Sequence, residues 1–308
     1  MIGVGMFVFL SWNAFGGVGH WTTNWTAPGS FDLNVVADPH DPRVFYAGAN
    51  AVFKSDDAGD SWSRCGDGPT RVTALAADQN LPGVIYAGTL VGTLFRSTDG
   101  CGHWNVLFQR NTGIMTPPPV RLIVIHPADP RILFLQHASS IRLPGDLLRS
   151  DDGGLTWEGT SLQDPISRFV TALTFDPRNP QVLFAGTEEN QGFYRSSDGG
   201  ASWTPIRNKI SDSRVSFLVV DASTEAIYVG LLPLPPLSSS LWKSLDGGLS
   251  FSFAGAGLPT IEVDDLVFDP RRAGVSYVAT QGEGVFVTRD SGKTWTTLND
   301  GLGSLSVP

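Results

Sequence analysis

The sequence predicts an all-β chain in which a four-stranded antiparallel sheet is repeated around a closed ring. An eight-residue pattern, Ser/Thr-x-Asp-x-Gly-x-x-Trp, recurs along the 308 residues, and a fixed period of this size marks a repeat architecture. Each copy lies in a longer unit of four short runs rich in Val, Ile, Leu, Phe and Tyr, separated by Gly, Pro, Asn and Asp, which read as strands and turns. No segment combines a helical period with helix caps.

Three copies of the pattern are intact: Ser55, Asp57, Gly59, Trp62; Ser150, Asp152, Gly154, Trp157; and Ser196, Asp198, Gly200, Trp203. Two drift: Ser244, Asp246, Gly248, Phe251 and Thr288, Asp290, Gly292, Trp295. One keeps Ser97, Asp99 and Trp104 but has Cys101 in the glycine place. Successive copies start 42, 53, 46, 48 and 44 residues apart.

The unit is clearest around the fourth copy. Val170–Phe175 is a first strand, residues 176–180 (Asp-Pro-Arg-Asn-Pro) a turn, and Val182–Gly186 a second strand. Gly192–Arg195 is a third, the box follows, and Trp203–Ile206 is a fourth. The first strand is continuously apolar, which predicts burial of both its faces. A closed ring of sheets packed face to face provides that burial and leaves few free edges. The box falls where the chain reverses between third and fourth strands. Its Ser and Asp can hydrogen-bond the turn's own amides, its Gly accepts a positive φ, and its Trp carries apolar area between sheets. Six such carboxylates on six separate turns are expected to be structural, and the closing glutamate of an EF-hand loop is missing.

Composition narrows the function. Apolar residues are 41 % and charged residues 17 %, with 35 Gly and 21 Pro. Net charge is −9 without a basic run, a poor match to nucleic acid. The apolar run at residues 1–10 is too short to span a bilayer, and no Lys or Arg precedes Arg43, so a secretory signal is not supported. Two cysteines, Cys65 and Cys101, are too few for a disulfide scaffold or a thiolate zinc site. They come from neighbouring units and could pair, although two unpaired structural thiols are the expected state. No metal-ligand spacing occurs among the five histidines, and neither metal nor cofactor is expected. His40 and His126 read as turn residues. His137, Arg142 and Asp146 are placed on one long loop between second and third strands.

With the Asp-Pro-x-x-Pro-x-x-Val-Phe/Tyr-Ala-Gly-Thr stretches, the boxes resemble Asp-box (BNR) repeats. Nearly the whole chain is similar to the β-propellers of that superfamily, which includes sialidases, xyloglucan-active glycoside hydrolases, sortilin-type receptor domains and photosystem II assembly factors. The resemblance implies a single propeller domain over residues 1–308, with six complete blades between 31 and 299. Residues 1–25 and 301–308 would share an incomplete seventh, since Gly3–Val8 matches Gly282–Val287 and Gly301-Leu302 matches Gly257-Leu258. The apolar N-terminus then reads as a strand. The resemblance also implies an extracytoplasmic or secreted protein, and a monomer is expected.

The resemblance puts the loops entering each first strand, and those joining second to third strands, on one rim, away from the boxes. Function is sought there. Arg71, Arg121, Arg168 and Arg214 lie at or beside first-strand starts. They either converge on a carboxylate, sulfate or phosphate or pair with loop acids such as Asp67, Asp164 and Asp212. Rim carboxylates are Glu188 and Glu189, Glu283, and the trio Glu262, Asp264 and Asp265. Two that face each other would serve as acid and base on a glycosidic bond. Sialidase chemistry is excluded: no Arg-Ile-Pro segment occurs, and all five tyrosines (Tyr46, Tyr86, Tyr194, Tyr228, Tyr277) are placed on strands of the repeat. Two proline-rich apolar loops, Met115–Val120 and Leu231–Ser240, either dock a partner or fold over the channel mouth. The expected function is a non-catalytic propeller that binds a protein or glycan on its rim. The alternative is a carbohydrate-active glycoside hydrolase using two rim carboxylates.

Overall fold

The computed structural model of the chain describes residues 34–109, 117–137, 147–162, 170–187, 192–208, 210, 213–232, 241–260, 262–269, 271–280 and 282–300. Among them the regular elements are all strands, in six four-stranded antiparallel sheets that each run in chain order. Both parts of the expected seventh blade lie outside the described residues.

The chain divides into two compact units. Among the described residues, one runs to Thr160. It holds blade one, β1 (Asn34–Ala37), β2 (Phe45–Gly48), β3 (Val52–Ser55) and β4 (Ser63–Arg64). Blade two is β5 (Val72–Ala77), β6 (Ile85–Thr89), β7 (Thr93–Ser97) and β8 (Asn105–Gln109). Blade three is β9 (Val120–Ile125), β10 (Leu133–His137), β11 (Leu147–Ser150) and β12 (Glu158–Gly159). The other unit starts at Ser161. Its blade four is β13 (Val170–Phe175), β14 (Leu183–Thr187), β15 (Phe193–Ser196) and β16 (Thr204–Pro205). Blade five is β17 (Val215–Val220), β18 (Ile227–Leu231), β19 (Leu241–Ser244) and β20 (Ser252–Phe253). Blade six is β21 (Val263–Phe268), β22 (Ser276–Thr280), β23 (Gly284–Thr288) and β24 (Thr296–Thr297).

Burial follows position in the blade. Strands β6, β10, β14 and β18 are buried throughout, because each lies between two strands of its own sheet and packs against a neighbouring blade. The first strands, expected to be buried on both faces, are covered at their starts and half-buried over their last two residues. They are edge strands, and their far ends lack a neighbour on one side. Blade faces meet in continuous apolar clusters. In one, Val72, Leu75 and Ile85 pack on Val36, Tyr46 and Val52; in another, Phe184, Phe193 and Ile206 pack on Val215, Val229 and Phe251. Glycines of the second strands permit this approach. A Cβ at Gly88 would lie 2.3 Å from Val120, and one at Gly186 would lie 2.3 Å from Val215.

In blades three, five and six the box turn packs against the preceding blade. A Cβ on Gly154 would lie 2.5 Å from Leu107 of blade two, and one on Gly248 would lie 2.7 Å from Phe193 of blade four. Both glycines also hold φ near +90°, where any other residue is strained. Cys101 adopts φ +79° in the same slot of blade two. Its side chain is therefore directed at blade one, where Cys65 follows β4. The two form a disulfide with a Cα–Cα distance of 5.4 Å, so the expectation of unpaired thiols is corrected. Trp62, Trp157 and Trp203 each donate Nε1–H to the carbonyl of their own box glycine. Trp104 makes no such bond, and its indole lies against Gly68 of the blade-one segment that carries Cys65.

Candidate functional site

The candidate site grows from one irregularity of the first strands. In blades two to six a single residue near the strand start is left unpaired opposite the second strand: Thr73, Arg121, Thr171, Ser216 and Asp264. A bulge of this kind re-aims a side chain without disturbing the rest of the ladder. Three of the five bulged residues carry hydroxyls, and each hydroxyl donates to the opening carbonyl of the next blade's first strand. Thr73 Oγ1 reaches the Val120 carbonyl at 2.6 Å, Thr171 Oγ1 the Val215 carbonyl at 2.7 Å, and Ser216 Oγ the Val263 carbonyl at 3.2 Å. In blades three and six the bulged residue is charged instead.

Blade six gathers three carboxyl groups at its bulge. Asp264 and Glu262 are half-buried and Asp265 is buried. Asp265 sits where Ala74, Ala172 and Phe217 stand in other blades, paired with the equivalent second-strand residue. Its Oδ1 accepts the Leu266 N–H at 2.8 Å. Burial is the main cause that pushes Asp265 up to about 7, against that hydrogen bond. Burial, then the charge of Glu262, pushes Asp264 up to about 7. Glu262 is also raised by burial, but the Arg214 guanidinium of blade five pulls it back. All three carboxyl groups are thus raised, and only Glu262 has a cation beside it that opposes the shift; a carboxyl group that keeps its proton toward neutral pH can serve as a general acid.

Blade three gathers a different set. Arg121 is half-buried and has no ion-pair or hydrogen-bond partner for its guanidinium among the described residues. Opposite the bulge stand Gln136, paired with Leu122, and His137, paired with Val120. Gln136 occupies the slot of Gly48, Gly88, Gly186 and Gly230 and is fully buried. Its Nε2 donates to the His137 carbonyl at 2.7 Å, and its Oε1 has no partner. His137 lies in β10, not on the following loop as expected. It pairs with Val120 just past the register shift that leaves Arg121 unpaired, and its Nε2 sits 3.4 Å from the Gly92 carbonyl and its ring 5.7 Å from the Phe108 ring. Arg142 and Asp146 are outside the described residues.

The other expected residues do not join either group. Arg71 holds φ +55° at an exposed turn, its carbonyl accepting the Leu90 N–H, in the slot that Arg214 fills in blade five. Glu283 is exposed in a hairpin turn. Arg168, Glu188 and Glu189 lie outside the described residues, as does nearly all of the loop after Leu231. Pro117 and Pro118, the described part of the other proline-rich loop, pack over Gly92 of blade two. Gln136 was missed by sequence reasoning, although a glutamine in a glycine slot of a repeat was a readable signal. The bulge itself leaves no trace in residue type.

The box carboxylates are saturated by their own turns. Asp152 accepts from Ser150 Oγ, the Leu155 and Thr156 amides and Thr156 Oγ1, at 2.6–2.9 Å. The hydroxyl four residues on is the leading cause that lowers Asp57, Asp152, Asp198 and Asp246 to about 2. Asp99 and Asp290 are lowered further, by His103 and Thr294 respectively. Among the described residues no group of three or more His, Cys, Asp or Glu side chains is placed to hold a metal ion, and no helix is long and apolar enough to cross a membrane.

Comparison with known proteins agrees with this architecture. Residues 92–230 match the family model described as sortilin, neurotensin receptor 3. A xyloglucanase from a Paenibacillus species is 25 % identical over 88 % of this chain, which spans only 32 % of that relative's length. An ancestral GH74 enzyme superposes on 87 % of this chain with a TM-score of 0.66 and 20 % identity, over 38 % of its own length. The structure of YCF48 bound to D1 peptide superposes on 90 % of this chain and 86 % of its own, with a TM-score of 0.61 and 14 % identity. The chain is thus a β-propeller of the Asp-box type.

Proposed function

We propose that this propeller is a glycan-active protein of the xyloglucanase kind, with Asp264 as proton donor and Glu262 as its ionised partner. The observation that carries the proposal is the neighbouring carboxyl pair at the start of β21, with Asp264 freed from the ladder by the bulge and Arg214 acting on Glu262. Burial and the charge of Glu262 push Asp264 up to about 7, and Glu262, also raised by burial, has the Arg214 guanidinium to favour its charged form. Asp264 would protonate the glycosidic oxygen as the bond to the sugar breaks. Glu262 would either take a proton from the attacking water or attack the anomeric carbon itself, depending on the separation of the two groups. Asp265 is buried behind them and would act as a positioning residue. The Cys65–Cys101 disulfide suits an oxidising, extracytoplasmic setting.

Incubation with xyloglucan oligosaccharides, with product release followed chromatographically, tests the proposal. The wild type should release shortened products, and Asp264→Asn should not. The anomeric form of the first product, read by NMR, separates the two roles for Glu262. A second reading, rim binding of a peptide or glycan without turnover, draws on the likeness to peptide-bound YCF48 over most of both chains. Tight glycan or peptide binding with no products from the wild type would favour it.

A further inference from the structure

We propose that blade three carries an acid-sensitive latch, in which the neutral imidazole of His126 holds the turn between β9 and β10 closed and docked on blade two. The inference is independent of the glycan reading. In the other five blades the residue directly after the first strand is an aspartate: Asp38, Asp78, Asp176, Asp221 and Asp269. Each carboxylate accepts the amide two residues on at 2.8–2.9 Å and so knits its own turn. Blade three has His126 in that place, and the ring copies the carboxylate. Its Nδ1 accepts the Ala128 N–H at 3.1 Å and the Asp129 N–H at 3.0 Å.

The two kinds of acceptor part company in acid. An ordinary carboxylate stays charged down to about pH 4, whereas an ordinary imidazole takes up its second proton at about pH 6.5. The two amide donors fix the ring proton of His126 on Nε2, so a second proton enters at Nδ1. It turns the shared acceptor into a donor that faces two donors. His126 is 3 % exposed, so water reaches the stranded amides only when the turn opens. The unfolded chain takes that proton freely. The stability held by this turn is therefore present above about pH 6.5 and is lost as pH falls below it. The charges around the ring within its unit are already engaged. In the same turn Arg131 grips Asp129 through Nε at 3.0 Å and Nη2 at 2.7 Å and lowers it to about 2, so its charge is constant over this range. On β11, Arg149, opposite Phe134, is bound to Asp151. Blade two presents the neutral Asn80 amide, whose Nδ2 donates to the Pro127 carbonyl at 3.0 Å. The Arg131 carbonyl accepts the Gly153 N–H at 2.8 Å. The turn thus joins blade two to the box of blade three, and its opening loosens that corner while β10 stays paired.

Amide exchange read by mass spectrometry at about pH 8 and about pH 5, corrected for intrinsic rates and run beside thermal melts, tests the latch. In the wild type, protection over residues 128–132 should fall about tenfold at the lower pH. His126→Asp restores the residue of the sister blades, and His126→Asn keeps an acceptor that does not titrate. Both should keep that protection at the lower pH and lose less melting temperature on acidification than the wild type. Groups that titrate elsewhere are common to all three proteins, so the difference isolates His126. Equal losses in the wild type and His126→Asn, or no loss in any of them, would overturn the latch. A readout on the wild type alone needs no variant to fold: imidazole 15N NMR should show His126 Nδ1 unprotonated at the higher pH, and a proton there would overturn the proposal as well.

Discussion

Aspartates in two regions of this molecule have opposite fates. On the box turns, Asp57, Asp152, Asp198 and Asp246 are driven down to about 2. At the start of β21, Asp264 and Asp265 are driven up to about 7. The residue type is the same, so the surroundings decide. The box carboxylates are exposed to water and surrounded by hydroxyl and amide donors that favour the charge. Those of β21 are withdrawn from water with almost no donors, and a neighbouring acid adds repulsion. An acid at a repeated position therefore serves the fold, while an acid that departs from the repeat is the one poised for chemistry.

The sharpest way to break this comparison is to remove one acid from each region. Asp264→Asn should lower turnover of a xyloglucan oligosaccharide by about a thousandfold, the usual scale for loss of a general acid, with little change in melting temperature. Asp152→Ala should do the reverse, lowering the melting temperature with catalysis of the surviving folded protein intact. A thermal-shift series run beside the hydrolysis assay reads both. Loss of turnover with unchanged stability in Asp152→Ala would invert the assignment of the two regions.

The box of blade two departs from the repeat by exchanging glycine for Cys101. Closing a loop of 36 residues stabilises by roughly 3–4 kcal/mol in the chain-entropy view. Paired Cys65→Ser and Cys101→Ser substitution should therefore lower denaturant stability by about that amount. Cys101→Gly, which restores the repeat in the Cys65→Ser background, should recover part of the loss. If the glycine version recovers nothing, the positive φ of Cys101 is not what strains that turn.

The repeats were legible because each blade repeats one pattern, and six copies with fixed internal spacing leave little freedom in strand order. The trio Glu262, Asp264 and Asp265 was also visible at the start of a first strand. Which of them matters was not visible, because the bulge that frees Asp264 from the ladder is a one-residue shift in pairing, unmarked by any particular residue. The Cys65–Cys101 bond was hidden for a similar reason. Its geometry depends on box turns lying against the preceding blade, a contact between residues far apart in sequence. Arg71, Arg121 and Arg214 looked alike in the sequence, yet they occupy two different slots and have different neighbours.

The two regions should also own opposite limbs of the stability–pH curve. Box aspartates have folded pKa values below the ordinary 3.8. Their contribution is present above pH 4 and lost as pH falls toward 2. Asp264 and Asp265 are raised, so the folded state holds their protons more tightly than the unfolded chain. Their contribution is full below pH 4 and lost as pH rises to about 7. The Asp264→Asn, Asp265→Asn double variant should thus melt several degrees above the wild type at pH 8 and match it near pH 4. A gain independent of pH would mean that these carboxyl groups are not raised.

The smallest expected effect concerns the bulges that stayed with the fold. Thr73→Val removes the donor to the Val120 carbonyl in a buried site, keeps the side-chain shape, and should cost about 1 kcal/mol. Ser216→Ala breaks a longer contact of 3.2 Å at a half-buried residue and should cost less. Arg121 and Asp264 occupy the same slot with charged side chains, so Arg121→Thr and Asp264→Thr should be neutral or stabilising in the same urea titration. A loss at either charged bulge comparable to that of Thr73→Val would show that the charge already braces the fold. The division between residues that hold blades together and residues left for a ligand would then fail at the positions where it was drawn.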